Sequence, residues 1–504
     1  MLDFTGRPRV AATAILLALT ATVPASAQTL SATDAWAGLN GLAQGAGMTI
    51  TSGSVGRTGD SLTASGVRIF PSDNPDGMVV SMESLTVQPR GDQIALIPSP
   101  LIRVSAPSGN NQRRSFEITH NGEIVGMLTD QNAALDLSFP MLHLHMVPMA
   151  PPAPVKGAPQ SASPARVDVT FDALDASLRA TRDGTAELTL DAASVTYDLA
   201  YTDPSTTQGA MITQTGVHTA PHLAFSGTGL TMLSDAPGML RDAFAAGLAM
   251  SLTFRVQDSQ GSSHQMMGTT SLAMTTQGGA SDMTLTLADG RADISGSAGR
   301  FSVAGNFGPM QGNMQLDGMT MAFGAPLVVT SDDQLFRYMV SLDGLTPSPE
   351  LLSMMGASQF AGDALDVTVD VTADGRLTQE LGPDFGTGDA PPLDISRLRL
   401  DDLRLAVGES EFTGNGAVTL LGGLMGQVGR DRPNAEGDFT FNLLGGERLL
   451  NRLQSMGIVP PDQLFFVRMM INGLGRSIGD DHLQSDVAIR PGGTITVNGA
   501  PLPF

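Results

Sequence analysis

Apolar and polar residues alternate with a two-residue period in many short segments of the chain. Residues 283–287 read MTLTL, and residues 365–369 read LDVTV. This period places apolar side chains on one face of an extended strand and polar side chains on the other. Dipeptides that favour tight hairpin turns lie between such segments. They are Asn121-Gly122, Asp183-Gly184, Asp289-Gly290, Asp374-Gly375 and Asn498-Gly499.

This arrangement predicts a mainly β protein, because hairpin turns between consecutive strands build an antiparallel meander. We expect an elongated antiparallel sheet, curved or groove-forming, with few crossover helices. A doubly wound α/β fold would need a helix between most strands. The sequence therefore disfavours a doubly wound α/β enzyme fold.

Short helices are predicted at four places. Thr33 or Asp34 can cap a first helix that carries Trp36 and Leu39 and ends near residue 45. A second helix is expected at residues 237–247. Residues 447–456 and 462–471 form a predicted helix hairpin near the C-terminus, in which Pro461 suits a helix first turn.

Composition shifts divide the chain into provisional regions. Residues 28–147 form an N-terminal β-rich region, and residues 165–381 form a central one. Residues 148–164 are rich in Pro, Ala and Ser, which predicts a linker or a long loop. Residues 382–392 form a second, Gly- and Pro-rich linker. Residues 393–504 complete the chain as a β region with the helix hairpin.

The first 27 residues have the pattern of a secretory signal peptide. Arg7 and Arg9 provide a basic start, residues 10–23 are apolar, and Ala25-Ser26-Ala27 matches an A-x-A cleavage site. We expect cleavage between Ala27 and Gln28. The apolar stretch is short for a membrane span, which needs about 20 residues. No later apolar segment is long enough, so the sequence predicts an exported periplasmic protein without a transmembrane segment after cleavage.

Composition excludes several classes of function. The chain has 504 residues, no cysteine and a formal net charge of −22, and only 15% of its residues are charged. Phosphate binding needs Lys and Arg clusters, so a nucleic-acid partner is not expected. The absence of cysteine excludes disulfides, iron–sulfur clusters and thiolate zinc sites. It also fits an oxidising compartment.

The most suggestive local feature is a His and Met cluster. Met141, His143 and His145 occupy alternate positions of a predicted strand, so all three can point to one face. Imidazole and thioether groups are ligands for copper, and imidazole also suits zinc. The alternative is that the two His are ordinary strand residues beside a loop, with Met used as flexible core filler as elsewhere in this Met-rich chain.

Hydrolytic chemistry has a weaker signal. Residues 475–479 match the G-x-S-x-G pattern around Ser477, with His482 nearby. A nucleophile elbow needs a strand before the Ser and a helix after it, whereas here a helix is expected to precede. A Gly-rich loop explains the motif better. Paired carboxylates for hydrolysis of an envelope polymer cannot be recognised from sequence spacing. We therefore assign no catalytic residue and no cofactor.

Charged residues also alternate on predicted strands near position 400. Arg397, Arg399 and Arg404 flank Asp401 and Asp402. Opposite charges on neighbouring strands stabilise a sheet, so we predict cross-strand ion pairs here.

Three parts of the sequence carry a resemblance to a known family. These are Asp34-Ala35-Trp36 followed by residues 53–63, then residues 398–416, and finally residues 449–460 with 468–470. Together they resemble an uncharacterised family of exported alphaproteobacterial proteins, a domain of unknown function. Residues 398–416 also resemble the β-repeats of AsmA-type envelope proteins. The first likeness implies no particular activity, and the second implies work in the envelope or with lipids.

The sequence leaves three hypotheses open. The first is a non-enzymatic periplasmic β protein that binds an apolar ligand such as a lipid, or an envelope partner protein. It depends on alternating strands, whose Gly, Ala, Leu and Met faces can line an apolar groove or pack into a core. The second is a copper or zinc binder that uses His143 and His145. The third is an envelope-polymer hydrolase.

Overall fold

Strands dominate the computed structural model of the protein. It describes residues 31–502, except for 46, 108–112, 129–131, 148–164, 182–183, 204–209, 231–239, 268–269, 308–309, 383–384, 388–390 and 428–433. Within this part, 66% of residues lie in strands and 13% in helices, and the sheet is large and antiparallel. The predicted fold class is confirmed. The predicted signal peptide and residues 148–164 lie outside the described residues.

The chain divides into two compact units. The first comprises Met1–Asp235, Met250–Gln277 and Asn306–Gly308, and the second comprises Ala236–Ala249, Gly278–Gly305 and Pro309–Phe504. The range 382–392, predicted as a linker, lies within the second unit. The strands up to β17 belong to the first unit, apart from single terminal residues. Strands from β18 belong to the second, except residues 306 and 307 at the end of β20.

The strands of the first unit are β1 (Met48–Thr51), β2 (Ser54–Thr58), β3 (Ser61–Pro71), β4 (Val79–Arg90), β5 (Gln93–Pro98), β6 (Leu101–Pro107), β7 (Arg113–His120), β8 (Glu123–Leu128), β9 (Asn132–Val147), β10 (Arg166–Thr181), β11 (Ala186–Asp191), β12 (Ser194–Asp203), β13 (Ala210–Thr219), β14 (His222–Thr228), β15 (Ala249–Val256), β16 (Asp258–Met267) and β17 (Thr270–Gly278).

The strands of the second unit are β18 (Ser281–Ala288), β19 (Arg291–Ala298), β20 (Phe301–Phe307), β21 (Met310–Leu316), β22 (Gly318–Pro326), β23 (Gln334–Pro347), β24 (Leu365–Leu377), β25 (Leu393–Val407), β26 (Ser410–Leu420), β27 (Ala435–Leu444), β28 (Arg476–Gly479), β29 (His482–Arg490), β30 (Thr494–Val497) and β31 (Ala500–Pro501).

In the described residues, five short helices interrupt the strands. They are α1 (Ala32–Gly45), α2 (Leu240–Ala245), α3 (Pro349–Met354), α4 (Gly446–Ser455) and α5 (Pro461–Leu474), with 3₁₀ turns at Ser358–Phe360 and Met425–Gln427. The predictions for α1, α2, α4 and α5 are confirmed within a few residues. The cap of α1 differs from the prediction: Ser31 Oγ accepts the backbone N–H of Asp34 at 3.1 Å and donates to its carboxylate at 2.6 Å.

Helix α1 covers the start of the sheet in the first unit. It packs on β1, β3, β4 and β8. Beneath it the strand side chains form a core in which Met48, Val67, Val87 and Ile94 are almost fully buried. Such close packing is typical of a protein interior, and it anchors the N-terminal end of the described chain.

Ten strands of the second unit pair in a continuous antiparallel order: β18, β19, β22, β23, β24, β25, β26, β27, β29 and β30. Most neighbours in this order are also neighbours in the chain, as a meander requires. Register shifts occur within the β23–β24, β24–β25 and β25–β26 pairs. None of the helices in the described part of the chain is long and apolar enough to cross a bilayer.

Candidate functional site

One face of the ten-strand sheet in the second unit is apolar from edge to edge. A single cross-strand row, with one residue from each strand, shows this most clearly. The row consists of Leu285, Ile294, Phe323, Tyr338, Val371, Leu400, Gly416, Phe439, Val487 and Val497. Neighbouring positions of a strand alternate between faces, so residues two away from this row share the same face. We call this surface the apolar face.

The adjacent rows have the same character. The row on one side runs Met283, Gly296, Met321, Val340, Val369, Leu403, Gly414 and Phe441. The next row beyond it, in the same direction, includes Leu342, Val367, Leu405, Phe412, Leu443 and Leu483. In these three rows together, polar side-chain atoms are almost absent up to the last strands.

Stacked phenyl rings mark the apolar face near β26 and β27. Phe441 lies between Phe412 and Phe439, with ring centroids 5.8 and 6.2 Å away and nearly parallel planes. Two glycines of β26 make room for these rings. A Cβ atom on Gly414 would lie 2.4 Å from Phe441 Cδ1, and one on Gly416 would lie 2.5 Å from Phe439 Cδ1. Glycine is therefore required in this strand as well as in the hairpin turns.

The opposite face of the same strands is polar and ion-paired. Arg399 contacts Asp374 at 3.0 Å, and Arg404 bridges Asp366 at 2.9 Å and Glu411 at 2.6 Å. These contacts confirm the predicted cross-strand ion pairs for Arg399 and Arg404. The backbone N–H of Gly344 donates to Asp366 at 2.8 Å. This bond, helped by Arg404, lowers the pKa of Asp366.

Side chains of the apolar face remain open to solvent. Phe323 is 48% exposed and Tyr338 is 53% exposed. Of the ten residues in the central row, Val497 alone is a buried side chain. Sheets normally bury an apolar face against a second layer. The half-open state of these side chains is therefore the structural anomaly of the second unit.

The first unit has a similar apolar row, which is buried at one end and half-open along the rest. Its apolar row runs Leu62, Val87, Leu96, Ile124, Leu137, Ala176, Leu190 and Leu223. The first three of these residues are buried in the region where α1 packs. Further along, Phe139, Leu174 and Ala192 form a small buried cluster. Ala173 has a positive φ of 47° beside Leu174, opposite Pro140 in the pairing of β9 with β10.

The predicted metal ligands Met141, His143 and His145 do lie at alternate positions of β9. His145 Nδ1 is 2.5 Å from Asp168 Oδ1, and His143 Nε2 is 3.4 Å from the same oxygen. Met141 is largely exposed, and its backbone N–H donates to Asn121. In the described residues no three His, Asp or Glu side chains are arranged to hold a metal ion. Metal binding through this cluster stays a prediction.

Ser477 and His482 lie in adjacent strands, β28 and β29, without a hydrogen bond that joins them as nucleophile and base. The Ser477 hydroxyl donates to the Gly479 carbonyl at 3.2 Å. Helix α5 precedes β28 and a hairpin turn follows it, so the strand-to-helix context of a nucleophile elbow is missing. The geometry fits a tight turn between two strands.

Carboxylates do gather in a shallow cleft of about 350 Å³ in the first unit. Its lining includes Glu123, Asp136, Asp175 and Asp191. Three of them have a basic side chain as partner. Arg90 binds Glu123 at 2.6 Å, Arg179 binds Asp136 at 2.6 Å, and His222 lies 2.7 Å from Asp191. The contacts of Asp136 and Asp191 join paired strands, and that of Glu123 joins β8 to β4 across β5, so they stabilise the sheet as cross-strand charges commonly do.

Comparisons with protein-family models, curated proteins and solved structures found no match for this chain. Sequence alternation indicated that each strand has an apolar side. It gave no signal that this side is left open in the second unit, because an apolar strand residue has the same pattern whether it is covered or not.

Proposed function

We propose that the protein is a non-enzymatic component of the bacterial envelope that binds lipid acyl chains along the apolar face of its second unit. The single observation that carries this proposal is the uninterrupted apolar row across ten strands whose large side chains stay half-open. Burying such surface is favourable by about 25 cal/mol per Å². An acyl chain is the simplest ligand that satisfies this surface without hydrogen bonds.

The dimensions of the face suit long apolar chains. Neighbouring strands lie about 4.8 Å apart, so nine spacings give a path of roughly 43 Å along the sheet. This exceeds the thickness of one leaflet of bilayer hydrocarbon, which is about 15 Å. Met283, Met319 and Met321 supply flexible thioether side chains on the face. Flexible side chains let a surface adapt to a chain with many conformations.

The predicted export signal supports a lipid-rich setting. A periplasmic protein meets the phospholipids and other amphiphiles of two membranes. The polar, ion-paired opposite face remains suited to water, so the sheet has one side for solvent and one for ligand. The competing interpretation is that a partner protein covers the same face. Native mass spectrometry distinguishes a bound lipid from a bound protein.

Native mass spectrometry of the exported, purified protein tests the proposal. We expect adducts with the masses of phospholipids or fatty acids, identified by extraction. Phe323→Asp places a charge on the apolar face at an already exposed position and is expected to remove the adducts. Thr320→Asp is the matched control, because Thr320 is exposed on the opposite face of the same strand, β22.

Two results would contradict lipid binding. One is a wild-type protein that carries no lipid and binds none when it is incubated with fatty acid. The other is a wild-type protein that carries a bound protein in place of lipid, when this bound protein is lost in Phe323→Asp and kept in Thr320→Asp. That result would favour the envelope partner.

A further inference from the structure

Helix α5 carries an apolar surface on the side where a surface helix usually has polar residues. Phe465 is 76% exposed and Phe466 is 59% exposed, and Met469, Met470 and Leu474 are also open. At 100° per residue these side chains cover about half of the helix circumference. The half-buried residues Leu464, Val467 and Ile471 occupy the other side. Both sides of the helix are therefore apolar, and one of them faces solvent.

The three arginines of the helix hairpin all have acidic partners. Arg468 of α5 donates to Glu447 at 2.9 Å and to Asn451 at 2.8 Å. In α4, Arg448 pairs with Glu409 and Asp481, and Arg452 pairs with Asp363. The helix hairpin thus offers no free cation for an anionic partner. An apolar, uncharged partner therefore suits the exposed side of α5 better than an anionic one.

The exposed helix is continuous with the apolar face. Its last residue, Leu474, accepts hydrogen bonds through its carbonyl from Ser485 of β29 and from Asn498. The next residue, Gly475, is so close to Leu483 that an added Cβ would lie 3.0 Å from Leu483 Cβ. Leu483 and Ser485 both belong to the apolar side of β29. An apolar molecule on α5 would therefore reach the apolar face without crossing a charged rim.

We propose that α5 docks the protein on the surface of a neutral phospholipid bilayer, so that acyl chains pass between the membrane and the apolar face. This inference rests on the proposed lipid-binding function. A helix with Phe and Met on its outer side can bury that side at the boundary between headgroups and acyl chains. Because its arginines already have acidic partners, the hairpin favours a zwitterionic surface over an anionic one. The highly exposed Phe465 suits insertion into the lipid layer.

Vesicle flotation with the full-length exported protein tests this docking. We expect binding to phosphatidylcholine vesicles that does not weaken at 1 M salt, because the contact is apolar and ionic screening leaves it unchanged. The double variant Phe465→Ser, Phe466→Ser is expected to lower the vesicle-bound to free ratio at least about tenfold, given the contribution of each buried Phe. Met355→Ser is the matched control, because Met355 is 66% exposed outside the helix hairpin.

The outcomes distinguish this inference from the proposed function. Phe323→Asp is expected to lose bound lipid yet still float with vesicles, whereas the α5 double variant is expected to float poorly yet still accept fatty acid from solution. Three results would overturn docking on a bilayer. They are no flotation of the wild type, equal flotation of the double variant, or concentration-dependent dimers that the double variant abolishes in the absence of lipid.

Discussion

Asp366 shows how one side chain stabilises the polar side of the sheet. Its carboxylate accepts the backbone N–H of Gly344, a residue in the left-handed region with a φ of 69°, and it contacts Arg404. Both contacts favour the ionised form and lower the pKa of Asp366. We expect Asp366→Asn to lower the free energy of unfolding by about 1 kcal/mol at pH 7.

The sign of the pH dependence follows from the lowered pKa. The stabilisation is fully present above the unfolded pKa of about 3.9 and is lost as pH falls through the lower folded pKa. Urea unfolding at pH 7 and near pH 3 therefore gives a smaller difference between wild type and Asp366→Asn at the acid value. Asp92→Asn, in an exposed turn, is the control and is expected to change little. A difference that grows at acid pH would contradict this account.

His120 provides a second residue-level prediction. Its ring is buried edge-on against Phe139, with centroids 5.2 Å apart, and Nε2 lies 3.0 Å from the Ser99 carbonyl oxygen. Burial lowers the pKa of His120, although the contact with Ser99 acts in the opposite direction. At pH values below the unfolded pKa of about 6.5, the His120 imidazole is protonated more readily in the unfolded chain than in the folded chain. The free energy of unfolding is therefore expected to fall between pH 7 and pH 5.

Urea midpoints across this pH range measure the effect. We expect His120→Gln to remove part of the pH dependence, since glutamine can donate to Ser99 without titrating. Burial also lowers the pKa of His218, so this residue is expected to account for pH dependence that remains in His120→Gln. His264→Gln, at an exposed position of β16, is expected to leave the profile unchanged. An unchanged profile in His120→Gln would show that the buried imidazole does not control this part of the stability.

At the scale of a single strand, β26 depends on two glycines beneath phenyl rings. A methyl group at position 414 would meet Phe441 at 2.4 Å, so the ring must move. Overpacking of this kind costs about 1–3 kcal/mol. We expect Gly414→Ala to be destabilised by this amount in urea unfolding. Thr419→Ala, on the exposed opposite face of β26, is expected to change stability by less than about 0.5 kcal/mol. Equal effects of the two changes would contradict a steric role for Gly414.

The helices show how far sequence periodicity predicts an element. Residues 447–456 and 462–471 were predictable because apolar spacing, Gly457 and two prolines bracket them. Helix α3 was not predicted, because its six residues are too few to show the apolar spacing that distinguishes a helix from a turn. The outward direction of Phe465 was also unpredictable: a run of apolar residues predicts a helix but does not say which neighbours cover it.

At the scale of the molecule, the second unit has an apolar sheet side that its described residues leave half-open. Alternation in residues 283–287 and 365–369 predicted an apolar side for each strand. Whether a second layer covers that side depends on contacts between residues far apart in sequence, which no local pattern records. In the first unit, α1 provides such a layer over Leu62 and Val87. The described residues of the second unit leave Phe323 and Tyr338 half-open.

This asymmetry leads to a thermal prediction. A ligand that binds the folded state alone stabilises it by about 2.7 kcal/mol at a hundred times its dissociation constant. We therefore expect oleate, added to delipidated protein below its micelle concentration, to raise the unfolding temperature of the second unit by about 5 °C or more in scanning calorimetry. The shift should grow with the logarithm of oleate concentration, disappear in Phe323→Asp and persist in Thr320→Asp. An equal shift in both variants would place the binding elsewhere, because Phe323 lies on the apolar face and Thr320 lies on the opposite one.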